Sequence, residues 1–134
     1  MDTEIIDVRS LTIEDYQELK ESMIQAYASL GGQYWKEEAI KKLIQKFPEG
    51  QIVITLDGKV VGCALSIIVN YDKFGDKHNY REITGNFSFE THNSKGDTLY
   101  GIEVFVHPNY RGMRLARRLY DTRKMLCERL NLKA

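Results

Sequence analysis

The chain has 134 residues, and 19 Lys plus Arg balance 19 Asp plus Glu, so its formal charge at pH 7 is zero. That length suits one domain burying about two thirds of the open chain's surface, and 43% apolar with 28% charged residues excludes a disordered or fibrous chain. Balanced charge argues against a nucleic-acid partner, no apolar run approaches a membrane span, and the acidic start from Met1 to Asp7 lacks the basic character of a secretory signal.

Ile5 to Val8 reads as a short first strand. Thr12 and Asp15 resemble a capping box with Asp in place of Glu or Gln. Ile13, Tyr16, Leu19, Met23 and Tyr27 then recur at helical steps, predicting a helix to about Leu30, which Gly31 and Gly32 end. Trp35, Ala39, Ile40, Leu43, Ile44 and Phe47 form the stripe of a second helix, closed by Pro48 and Gly50. Both stripes read as core packing. Ile52 to Leu56 is β-rich, Asp57-Gly58 signals a hairpin turn, and Val60 to Val69 is a second β-rich run. Within that run Cys63 lies among Val61, Gly62, Ala64 and Leu65, as suits a buried reduced thiol in a cytoplasmic protein. Cys127 is the other cysteine; the two make no disulfide framework, and neither clusters with His, so no metal is expected.

From Asn70 to Thr98 the chain is polar, too long for a plain hairpin loop, and reads as an insert. Leu99 to Val106 returns to strand character, Pro108 and Asn109 break it, and a third helix is expected from Tyr110 or Arg111. The order β-α-α-β-β-(insert)-β-α predicts an α/β or α+β fold with a largely antiparallel sheet, as a single domain over 1–134. A strand is expected to follow the last helix and none does, so the domain reads as incomplete at its C-terminus.

The stretch from Gly101 to Tyr120 carries the chemistry: an apolar strand, a short turn and a basic helix start. Helix amino ends present unpaired N–H groups and partial positive charge, which suit a phosphate. Gly112 would let such a group approach the main chain, and Arg111, Arg114 and Arg117 would add charge-assisted bonds. By spacing alone, an eased turn and solvated arginines fit equally well.

Arg111-Gly112-Met113-Arg114-Leu115-Ala116, after Val106-His107-Pro108-Asn109-Tyr110, resembles motif A of the GNAT N-acetyltransferases, whose phosphate loop reads Gln/Arg-x-x-Gly-x-Gly/Ala. The predicted element order is similar over nearly the whole chain, and one departure is Arg114 where the motif has its central glycine. The run from Tyr100 to Pro108 and the helix after it also resemble GNAT segments that precede a nitrilase-like hydrolase.

The resemblance implies an acyl-CoA N-acyltransferase fold, a mixed and mostly antiparallel sheet flanked by helices, and transfer of an acetyl group from acetyl-CoA to a primary amine by direct attack. It places the pantetheine on main-chain groups near Phe105 and Val106, and the pyrophosphate on Arg111, Gly112, Met113, Arg114, Leu115, Ala116 and Arg117. Glu103, the acidic residue of the strand, becomes the candidate general base. An outward-facing solvated role is open for it too, and His107 is a substitute. The acceptor would be a small molecule or a peptide, with His78, Tyr80 and Phe89 of the insert as candidate contacts. The family's fifth strand and the tyrosine of a later helix have no counterpart here, so a homodimer or strand exchange is a possible source of the missing wall. A non-catalytic acyl-CoA-binding or regulatory module, and a structural fragment of a larger enzyme, are the alternative readings.

Overall fold

The computed structural model describes residues 5–32, 34–70, 89 and 91–133. Four strands, β1 (Ile6–Ser10), β2 (Ile52–Leu56), β3 (Lys59–Val69) and β4 (Thr98–Val106), form an antiparallel sheet in the order β1-β2-β3-β4. Among the described residues three α-helices flank it: α1 (Tyr16–Ala26), α2 (Glu37–Lys46) and α3 (Leu115–Leu130). Past α3, Lys133 makes a parallel bridge with Thr98, its carbonyl accepting Leu99 N–H at 2.7 Å. The sheet is therefore mixed at that one point.

Alternation along β3 decides the two faces from Gly62 onward, and a β-bulge at Val61 breaks it there and puts Val61 on the face of Ala64. Cys63, Leu65 and Ile67 join Leu19 and Met23 of α1 and Ile40 and Leu43 of α2. Val61 and Ala64 face Leu115 and Leu119 of α3, and Ile68 joins Leu126 and Cys127 farther along the same helix. Strand β3 is thus buried on both faces, and each large apolar side chain so covered contributes about 1.5–3 kcal/mol. Both cysteines are free and buried, and burial pushes the Cys63 thiol well above its ordinary range.

Several boundaries differ from the sequence reading. The first strand runs on to Ser10. Helix α1 ends at Ala26; Ala28–Leu30 is a separate 3-10 turn, closed by Gly31 at φ 99°. Trp35 precedes α2 rather than lying in it. The third helix does not start at Tyr110 or Arg111: Pro108–Tyr110 is a 3-10 turn, and Gly112 and Arg114 at φ 90° and 60° hold the chain out of helix until Leu115.

One irregularity bears on the site. Glu103 faces Leu65 while Gly101 faces Ser66, so β4 carries an extra residue, Ile102, in a β-bulge. Buried Gln51 completes the far side of β3 there, with Nε2 donating to the Ser66 and Phe47 carbonyls at 2.7 and 2.8 Å and Oε1 accepting Ser66 N–H at 3.1 Å. Among the described residues no helix is long and apolar enough to cross a membrane.

Candidate functional site

The turn between β4 and α3 is held from both sides. His107 donates its N–H to the Val61 carbonyl at 2.6 Å, and its Nδ1 accepts Asn109 N–H at 3.1 Å. Burial, then Lys59 and Arg111, push the His107 pKa down, so this imidazole stays neutral and serves the turn. Beyond it the chain is extended at Arg111 and left-handed at Gly112, where a side chain would strain the backbone although it would meet no atom within 4 Å.

Arg114 stands at the amino end of α3, left-handed at φ 60° and with no side-chain cap. This explains the central glycine of the motif: the position needs a conformation that glycine adopts without strain and Arg114 adopts at a cost. Helical pairing begins with Arg118 N–H to the Arg114 carbonyl at 3.3 Å. The N–H groups of Leu115, Ala116 and Arg117 belong to the first turn, which an intrahelical ladder does not serve. Arg111, Gly112, Arg114, Arg117 and Arg118 are exposed around it. Met113 and Ala116 are half-buried against the α3-side core, and Leu115 is 1% exposed, so from Leu115 only main chain is on offer.

The strand that feeds this loop leaves one edge open. Antiparallel ladders alternate between residues turned toward and away from the partner strand. With His107 N–H on Val61, the register Cys63↔Phe105 turns the main chain of Phe105 toward β3 and that of Val104 and Val106 outward. Of the two predicted strand contacts, Val106 thus offers main chain to the open edge, whereas Phe105 offers its ring to the core, 6.2 Å from the Tyr27 ring.

Glu103 lies on the α1 side and is not a solvated strand residue. Tyr27 donates to its Oε2 at 2.9 Å and the Trp35 side chain donates a second hydrogen bond. Burial pushes the Glu103 carboxyl above the usual range, and the two donors pull it back. Burial, and next the Glu103 charge, push the Tyr27 phenol far up, so it stays protonated. On the opposite face Arg123 of α3 reaches through the space left by Gly101 toward the Leu65 and Glu103 carbonyls, at 3.5 and 3.4 Å. Its own pKa is lowered by burial.

Phe89 is wholly buried, 5.8 Å from the Trp35 ring, while His78 and Tyr80 lie outside the described residues. Sequence reasoning missed Tyr27, Trp35 and Arg123 as members of the site. Tyr27 and Trp35 sat in stripes read as core, and the available signal was their polar tips, which need partners when buried.

The model of the "Acetyltransferase (GNAT) family" matches residues 14–134. The chain is 41% identical over 104 residues to a "Probable hydrolase YhcX" of Bacillus subtilis (strain 168), covering 78% of this chain and 20% of that protein. It therefore spans about a fifth of that relative's length. The fold matches the loading GNATL domain of CurA from Lyngbya majuscula at a TM-score of 0.75 and 21% identity, over 92% of this chain and 58% of that one. It also matches Arabidopsis thaliana Naa50, solved in complex with the bisubstrate analogue CoA-Ac-MVNAL, at a TM-score of 0.61 and 12% identity, over 96% and 68%. With the family model covering all but the first residues, this chain belongs to the GNAT acetyltransferase family.

Proposed function

We propose that this chain binds acetyl-CoA and directs its acetyl group to a primary amine on a small molecule or a peptide, in the cytoplasm. The observation that carries the reading is the amino end of α3: uncapped, reached through two left-handed residues, and ringed by Arg111, Arg114 and Arg117. Such an end suits a pyrophosphate, which accepts main-chain N–H bonds and pairs with guanidinium groups. A pantetheine arm leaving it would follow the outward N–H and C=O groups of Val106 and Val104 toward Glu103. Naa50, with the same fold, is the precedent for a CoA-linked peptide in such a frame.

On this reading, Glu103 takes the proton of the acceptor ammonium, directly or through water. The freed amine forms the new C–N bond at the thioester carbonyl, the C–S bond breaks as CoA thiolate leaves, and the second proton of the nitrogen passes through water to that thiolate, giving the neutral amide and CoA thiol. The raised carboxyl pKa makes Glu103 a better base than an exposed glutamate. One observation favours a second reading, a non-catalytic acyl-CoA-binding module: two donors already occupy the Glu103 carboxylate.

Titration calorimetry with CoA, followed by thiol release from acetyl-CoA across a panel of amines, tests these readings in turn. Binding with thiol release supports the transferase, and binding without it leaves the module. No binding refutes both. Losing one charge-assisted contact, Arg111→Ala should weaken CoA binding about tenfold or more; unchanged affinity would refute the phosphate assignment.

A further inference from the structure

The connection leaving α1 touches both halves of the site. Arg111 Nη2 lies 3.5 Å from the Ala26 carbonyl, and the next residue, Tyr27, donates to Glu103 at 2.9 Å while its ring meets Phe105. Trp35, on the far side of the same connection, supplies the second donor. We propose that Tyr27 is a positioning residue for Glu103, its hydroxyl holding the carboxylate ionised and in place beside the open edge of β4.

The inference rests on the reading in which Glu103 accepts the proton. A hydroxyl that donates to a carboxylate favours the charged form, and a buried carboxylate deprived of that donor holds its proton to higher pH. Among the described residues, the groups around Glu103 leave this work to Tyr27 and Trp35. Cys63 of β3 is a neutral buried thiol, Arg111 points to the Ala26 carbonyl, and Arg123 reaches the Glu103 main chain from the other face. Because Glu103 must be deprotonated to act, the rate is present above its pKa and lost below it, so raising that pKa moves the acid limb to higher pH.

The test follows the Glu103 carboxyl carbon by NMR across pH in the full chain. In Tyr27→Phe its midpoint should rise by about one pH unit, a tenfold change in the protonation equilibrium, and Trp35→Phe should add to the rise. The acid limb of amine acetylation should move the same way with KM for acetyl-CoA unchanged. An unmoved midpoint in a folded Tyr27→Phe overturns the proposal. Should that variant fail to fold, fluorotyrosine at position 27 keeps the hydroxyl and makes it a stronger donor. The midpoint should then fall, and no change overturns the proposal. A wild-type chain that fails to bind CoA would refute the transferase reading instead, since the NMR midpoint is measured without CoA.

Discussion

Two helices of this protein begin in opposite ways. Ahead of α1, Asp15 closes the 3-10 turn Ile13–Asp15 that runs straight into the helix: its carboxylate accepts the Thr12 N–H at 2.9 Å and the Thr12 hydroxyl at 3.0 Å, and Arg9 holds it with bonds of 2.7 and 2.8 Å. Ahead of α3 stands a left-handed arginine with no cap, and the charges around it are all positive. A helix start attracts an anion in either case. At α1 the chain supplies that anion itself, whereas on the proposed reading α3 leaves the place for one that arrives with a ligand. On that reading the sealed end is fold, and the open end is site.

Substitutions at the two ends should separate these roles. Asp15→Ala has the largest expected effect, a loss of about 2 kcal/mol in unfolding free energy, because it strips Thr12 N–H and Arg9 of their acceptor; CoA affinity measured on the folded fraction should not move. Gly112→Ala puts a side chain on a left-handed residue and should cost about 1 kcal/mol in stability, with CoA affinity falling as well. A drop in stability without a drop in affinity would break the contrast between the ends.

Acid sharpens it further. The Arg9 hydrogen bond leads the causes that hold the Asp15 pKa down, from 3.8 to about 2. A carboxylate depressed on folding contributes stability above its unfolded value and loses it as pH falls through the folded one. Melting temperature should therefore decline as pH drops from 3.8 toward 2, more steeply in the wild type than in Asp15→Asn. The smallest effect is expected from Arg114→Gly. Relief of left-handed strain is offset by the freedom glycine gains in the unfolded chain, leaving stability within about 1 kcal/mol. CoA affinity should fall with the guanidinium lost, and an increase would show that Arg114 obstructs the phosphate.

Strand and helix order, the hairpin at Asp57-Gly58 and the loop motif were legible in the sequence because each rests on neighbours in the chain. The start of α3 was not: the apolar stripe begins only at Leu115, the residues between Pro108 and that point carry no clear stop, and no neighbour in the chain announces that Arg114 is left-handed. The surroundings of Glu103 were less legible still. They depend on a β-bulge at Ile102 and on two residues, Tyr27 and Trp35, far away in sequence. Gln51, which reads as an ordinary polar residue beside a strand, is wholly buried because its amide completes the hydrogen bonding of Ser66. Contacts of this kind are set by three-dimensional closure, and a single sequence does not encode them in any local pattern.

The central claim is that the open end of α3 receives the diphosphate of CoA. Amide proton and nitrogen shifts recorded while CoA is added to the 15N-labelled chain test it directly. The account predicts saturable shifts at Gly112, Met113, Leu115, Ala116 and Arg117, with Thr12 and Asp15 unmoved. Saturable shifts elsewhere, with those five amides unchanged, would contradict it.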